Sequence, residues 1–311
     1  MASPIVISAD IGGTHITTSA IDLKLAQVIP DTRIEMPVDN LGTATQIVDS
    51  WANALKQTLK KVGFSRLAGI SFAMPGPFDY VNGISLIKGV QKFESLYGLN
   101  VQQAIRSELL LNNTIPIRFI NDATAFALGE TWGGSGKPFK RIIAITLGTG
   151  FGSAYVEDGL PVIEDYRVPR WGCLYHIPLN NGIADDNFST RWFVNEYKIR
   201  SGKIVDGVRD IAIDAKTNPI AQQLFNDFGR NLGQFLGPWL KLFDADGLVI
   251  GGNVSKAYNL FEFSLNEKLR KSNTDTKVVL SKLKEDAALI GCAHLIQHDY
   301  YNRLEPLLAK M

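Results

Sequence analysis

Apolar and polar positions alternate with several different periods along this chain, and each period predicts an element. Residues 6–16 open as a short apolar run, meet an acid at Asp10, and turn through Gly12-Gly13-Thr14 into a second β-prone run over 16–21. Apolar runs on either side of glycines predict a hairpin, with the next turn at residues 22–24. Further on, Ile47, Val48, Trp51, Leu55, Leu59 and Val62 recur at helical spacing, which predicts an amphipathic helix over 43–62. The continuous runs 67–73 and 116–120 have the length of buried strands, and 99–110 reads as a helix between them. Residues 219–243 predict a long helix. Asp227, Arg230 and Lys241 interrupt its apolar sequence, which argues against a membrane span, and Gly229, Gly233 and Gly237 give it a narrow face for close helix packing. Residues 246–252 form a strand ending in two glycines, followed by a helical run to Arg270. A last helix over 287–304 is closed by Pro306.

The first hairpin has an echo. Laid without gaps on 9–22 (ADIGGTHITTSAID), residues 145–158 read ITLGTGFGSAYVED, so that Gly12 falls on Gly148. A strand–glycine turn–strand unit used twice predicts two similar domains, with a break in the Gly/Ser/Pro-rich stretch 132–140: one domain over 1–133, the other over 134–311. Glycine turns suit phosphate, because backbone without Cβ can approach closely and present its N–H groups. Two such turns facing one cleft would hold a nucleoside triphosphate.

Composition narrows the partners. A formal charge of +1 gives no electrostatic reason to expect nucleic acid or an anionic membrane. Cys173 and Cys292 are too few for a disulfide framework or a four-thiolate zinc site. The start lacks a basic segment followed by a long apolar stretch, so a cytoplasmic protein is expected.

Five segments in order, DIGGT at 10–14, PGP at 75–77, NDA at 121–123, LGTGFG at 147–152 and GGNVS at 251–255, resemble the ROK family. That family holds bacterial sugar kinases and sugar-responsive repressors. The resemblance implies an α/β, actin-like (ribonuclease H-like) two-domain ATPase fold with a cleft between the domains, the last helix packing back on the first domain. It implies ATP and Mg²⁺ as cofactors. Asp122 would be the catalytic base. Asp10 would hold Mg²⁺ through water. Gly12, Gly13, Thr14, Gly148, Thr149 and Gly150 would grip phosphates, and Gly251, Gly252 and Asn253 would border the nucleoside. Gly76, Asn121, Asp122, His176 and Asp185 would contact the sugar. Each has a plainer reading beside it: an N-cap for Asp122, an ordinary corner for Pro75–Pro77, a structural role for His176. A homodimer follows from the resemblance alone.

The chain departs from the family at 172–185. Cys173 stands where the family's sugar-binding Glu would be, and the loop after His176 has none of the family's zinc-binding cysteines. No zinc is therefore expected. A hydrogen bond to a charged group contributes roughly 1.5–3 kcal/mol. Losing that carboxylate would weaken a usual hexose by ~10–100-fold. The expected function is an ATP-dependent kinase acting on a hexose or amino-hexose hydroxyl. The alternative is a non-catalytic sugar sensor. A DNA-binding module is not expected, because nine residues precede Asp10.

Overall fold

The computed structural model describes residues 3–272 and 274–311. In chain order the elements begin with β1 (Ile5–Ile11), β2 (His15–Asp22), β3 (Gln27–Val28), β4 (Ile34–Pro37), α1 (Ala44–Val62) and β5 (Leu67–Met74). A small hairpin, β6 (Phe78–Asp79) and β7 (Ile84–Ser85), precedes α2 (Val101–Glu108), β8 (Ile117–Asn121) and α3 (Asp122–Trp132). Then come β9 (Arg141–Leu147), β10 (Phe151–Glu157), β11 (Leu160–Pro161), β12 (Pro178–Leu179) and β13 (Gly182–Ile183). They are followed by α4 (Ala184–Asn187), α5 (Thr190–Ser201), α6 (Val208–Asp214), α7 (Pro219–Phe243), β14 (Gly247–Gly251), α8 (Glu262–Lys271) and β15 (Lys277–Leu280). The chain ends with α9 (Asp286–His294) and α10 (His298–Leu308).

Two compact units result: residues 1–134 with 285–311, and residues 135–284. The first holds a mixed sheet of order β3-β2-β1-β5-β8, with β4 also on β2; the second holds one of order β11-β10-β9-β14-β15. In both, an antiparallel hairpin is extended by parallel strands, β1 with β5 and β8 in one, β9 with β14 and β15 in the other. The predicted repeat is therefore a repeat of topology. Its gapless alignment holds for the first strand only. β2 pairs Ile16 with Ile11, whereas β10 pairs Phe151 with Leu147, so the second turn is one residue shorter. The strands that carry the slip are buried on both faces, and no polar alternation marks their register.

Capping and packing explain the helices. Thr43 and Gln46 form a reciprocal capping box at the start of α1, whose Trp51 and Leu55 are fully buried. The narrow face foreseen on α7 is used: a Cβ at Gly229 would meet the Phe261 carbonyl at 2.5 Å, and one at Gly233 the Leu265 carbonyl at 2.7 Å, so α8 approaches backbone to backbone. In the first unit Gly129 of α3 and Gly291 of α9 do the same for each other's helix.

Two helix predictions need correction. The expected last helix over 287–304 is two helices, α9 and α10, broken at residues 295–297, and Pro306 lies inside α10. Gly291 is no breaker there, because α3 packs against it. Pro306 is tolerated near the end of α10, where only one ladder bond is given up. The run after Gly252 is likewise a 3-10 helix, Asn253–Leu260, which stops at Phe261 before α8 starts.

Candidate functional site

In the first unit the predicted residues gather at the carboxyl edge of the sheet, where open α/β sheets bind ligands. Asp10 sits opposite Ala73 on β5, and Ala73 opposite Ile120 on β8. Asp10 and the start of α3 are thus two strands apart, roughly 10 Å. Asn121 is the N-cap of α3, its side chain accepting from the Thr124 N–H at 3.1 Å. That frees Asp122, the first helical residue, from the capping role. Its Oδ1 accepts from Asn121 Nδ2 at 2.9 Å and from the Ala123 N–H at 2.8 Å. Both bonds fall on one oxygen and fix the carboxyl plane, which leaves Oδ2 to take a proton.

Electrostatics couple these acids. Desolvation raises Asp122 above the ordinary carboxylate range, against the lowering effect of the Ala123 N–H and of Lys92. Asp10 is pushed up to about 7, first by desolvation and then by the nearby Asp122 charge, with Arg33 opposing. Arg33 in turn holds Asp286 at 2.8 Å and Glu285 at 3.2 Å. A carboxylate raised in this way is poised for a cation. Mg²⁺ is bound through one or two carboxylates, waters and substrate phosphates, and the Asp10 carboxylate is a hard oxygen donor of the kind such a site uses. No cluster of three or more His, Cys, Asp or Glu suited to a metal occurs among the described residues.

The glycines divide by what a side chain would meet. At Gly13 and at Gly148 a Cβ would point into open space, with nothing within 4 Å and no left-handed backbone. The fold does not need glycine at either position; a ligand lying against the backbone would. Gly252 differs: its φ is +81°, and a Cβ would lie 2.4 Å from the Leu147 carbonyl, so its glycine joins β14 closely to the end of β9. Thr14, Thr149 and Asn253 are exposed beside these turns, and Gly76 is exposed on the corner after β5.

In the second unit Asp185 is already engaged. Its Oδ1 accepts from the Phe151 N–H at 2.6 Å and its Oδ2 from Arg191 at 2.6 Å, so it braces the turn of Gly148–Gly150. The turn is also held by the Thr190 N–H on the Gly148 carbonyl at 2.8 Å. His176 lies with Nδ1 3.8 Å from Cys173 Sγ. Burial pushes the Cys173 thiol up to about 12, and burial together with Arg170 lowers His176, so this pair is uncharged at neutral pH. Sequence reasoning passed over Arg33, and also Trp171 and Tyr175. The signal for the last two was the aromatic and basic density of RWGCLYH.

The model of the ROK family matches residues 6–299. The chain belongs to the ROK family. Among its relatives is an N-acetyl-D-glucosamine kinase of Haemophilus influenzae, 23% identical over 276 residues that cover 81% of this ROK chain and 85% of the relative. A ROK family glucokinase from Streptomyces griseus, solved in complex with glucose and AMPPNP, superposes with a TM-score of 0.75 at 22% identity, covering 94% of this chain and 98% of that one. A ROK family transcriptional regulator, homologous to the E. coli MLC protein, gives 0.80 at 19% identity over 99% of this chain and 82% of that one. The ROK chain thus has the actin-like ATPase fold, and kinases and regulators share it. No helix of the described residues is long and apolar enough to cross a membrane.

Proposed function

We propose that this ROK protein is an ATP-dependent sugar kinase acting on a hexose or amino-hexose hydroxyl. The observation that carries the reading is Asp122: a raised carboxyl at a helix start, pinned through one oxygen, with the other free to accept a proton. In the reaction Asp122 takes the proton of the attacking sugar hydroxyl as that oxygen bonds to the γ-phosphorus, and ADP leaves. Asn121 orients the base. Gly76 lets hydroxyls approach the backbone, and Asn121 and His176 hydrogen-bond them. Asp185 can reach the sugar only with lone pairs left over from its two bonds. Gly12, Gly13, Thr14, Gly148, Thr149 and Gly150 receive the phosphates, and Gly251, Gly252 and Asn253 the nucleoside. Mg²⁺, held through water by Asp10, would supply charge neutralisation on the phosphates. Most of the acceleration comes from positioning and electrostatics.

The names of the relatives support this reading, as does the survival of both glycine turns with Asp10 and Asp122. We read the protein as cytoplasmic, without zinc because the loop after His176 lacks the family's cysteines, without a nucleic-acid partner because its charge is near neutral, and as a homodimer by family resemblance. The second reading, a sugar sensor without catalysis, is favoured by the uncharged Cys173–His176 pair and by the fold shared with a regulator. ADP release with Mg·ATP, measured against glucose, mannose, fructose, N-acetylglucosamine and N-acetylmannosamine, separates the two. Sugar-dependent turnover supports the kinase. Silence on every sugar, with thermal-shift binding retained, supports the sensor.

A further inference from the structure

Trp171 has φ +63° and is followed by Gly172 at φ +60°. Left-handed backbone is uncommon and strained for a bulky aromatic residue. Gly172 could carry no side chain, since a Cβ would lie 2.1 Å from the Val162 carbonyl. This strained turn does not bury the indole: Trp171 is 37% exposed and Tyr175 43%. Both rings stand edge-on to the His176 imidazole, each with its centroid at 5.2 Å. The Arg170 guanidinium backs the indole at 4.1 Å. The group is tied to the glycine turn, because the Tyr175 carbonyl accepts from the Asp185 N–H at 3.0 Å and Asp185 accepts from Phe151. Strain that displays an aromatic ring beside a candidate sugar contact is a mark of function.

We propose that Trp171 and Tyr175 bracket His176 to form an aromatic subsite for an apolar substituent on the sugar. The assignment rests on the placement of the sugar at His176 in the proposed kinase site. Charged acceptors are missing from the bracket: the Cys173 thiol keeps its proton, the imidazole is neutral, and Asp185 is spent on Arg191 and Phe151. Recognition here runs through stacking and edge contacts instead of hydrogen bonds to charged acceptors. An aryl aglycone or an N-acyl group fills such walls more fully than a bare hexose, which offers only the C–H face of its ring. Aromatic contacts of this kind contribute about 0.5–1.5 kcal/mol beyond area burial, which corresponds to roughly 2–12-fold in affinity.

Isothermal titration of the whole chain with glucose, phenyl β-glucoside and N-acetylglucosamine tests the proposal. At least one substituted sugar should bind roughly 10-fold more tightly than glucose, and which of the two does so tells an aglycone from an acyl group. Trp171→Gly removes the indole yet suits the left-handed backbone. It should abolish that preference while leaving Tm unchanged or raised, and Tyr175→Leu should reduce it. Equal affinities in all three arms, absence of sugar binding, or a preference that survives Trp171→Gly would overturn the subsite. ADP release in the same samples keeps the two readings apart: a preference in binding without turnover refutes the kinase and leaves the subsite standing.

Discussion

The two units share one topology and divide the chemistry unequally. Asp10 stands two residues before Gly12, on the strand beside β5; Thr146 stands two residues before Gly148, on the strand beside β14. The first unit places an acid there and another, Asp122, two strands away; the second places a hydroxyl and ends its next strand in Gly251-Gly252. One unit has kept ionisable groups at its sheet edge, where burial first and the Asp122 charge second lift Asp10 to about 7. Both have kept open space at a glycine turn, at Gly13 and at Gly148. A repeated scaffold fixes where a ligand can dock, and the side chains at the sheet edge decide which half reacts with it.

The sharpest way to break this comparison is Asp122→Asn. If the first unit holds the base, kcat in a coupled ADP-release assay should fall by about 10²–10⁴-fold with fold and Tm intact. A residual rate near that of the unaltered protein would mean that Asp122 is not the base.

Glycine substitutions separate space kept for a ligand from space used by the fold. Gly13→Ala and Gly148→Ala meet nothing within 4 Å, so Tm should hold while KM for ATP rises by about 10-fold or more. Gly252→Ala should instead destabilise by at least about 1–2 kcal/mol, the cost of left-handed backbone alone. Thermal melts of the three variants side by side check the contrast.

The pH dependence has a definite sign. Folded Asp10 keeps its proton to about pH 7, whereas the unfolded chain releases it near the ordinary value of 3.8. The folded state therefore binds more protons across that window, and this residue lowers stability as pH rises from about 4 to about 7. Asp10→Asn should flatten the Tm profile there. Mg²⁺ with ATP should move the midpoint of the wild-type profile downward. The smallest effect is expected for Asn121→Ala: loss of the N-cap costs about 1 kcal/mol of stability in denaturant titration, with a modest fall in kcat as Asp122 loses one of its two holds.

Much of this was legible in the residues. The apolar runs, the helical spacing of α1 and the glycine face of α7 follow from periodicity, and the two glycine turns from composition. Other features depend on partners distant in sequence. The one-residue slip between the hairpins leaves no trace, because strands buried on both faces lose the polar alternation that would mark register. The break between α9 and α10 occurs at Leu295-Ile296-Gln297, without glycine or proline, so no local signal stops the helix. Asp185 read as an open sugar ligand because its bonds to Phe151 and Arg191 exist only after folding. Trp171 drew no notice, since left-handed backbone at a bulky residue leaves no mark in the sequence.

The central claim, that Asp122 of the first unit is the reacting acid while the glycine turns receive the nucleotide, is tested most directly by measuring AMPPNP affinity and sugar-dependent turnover on Asp122→Asn and Gly148→Ala together. The account predicts a crossed result: Asp122→Asn binds AMPPNP like the unaltered protein and does not turn over, while Gly148→Ala loses about 10-fold in AMPPNP affinity. Equal loss of nucleotide affinity in both variants, or full turnover by Asp122→Asn, would contradict it.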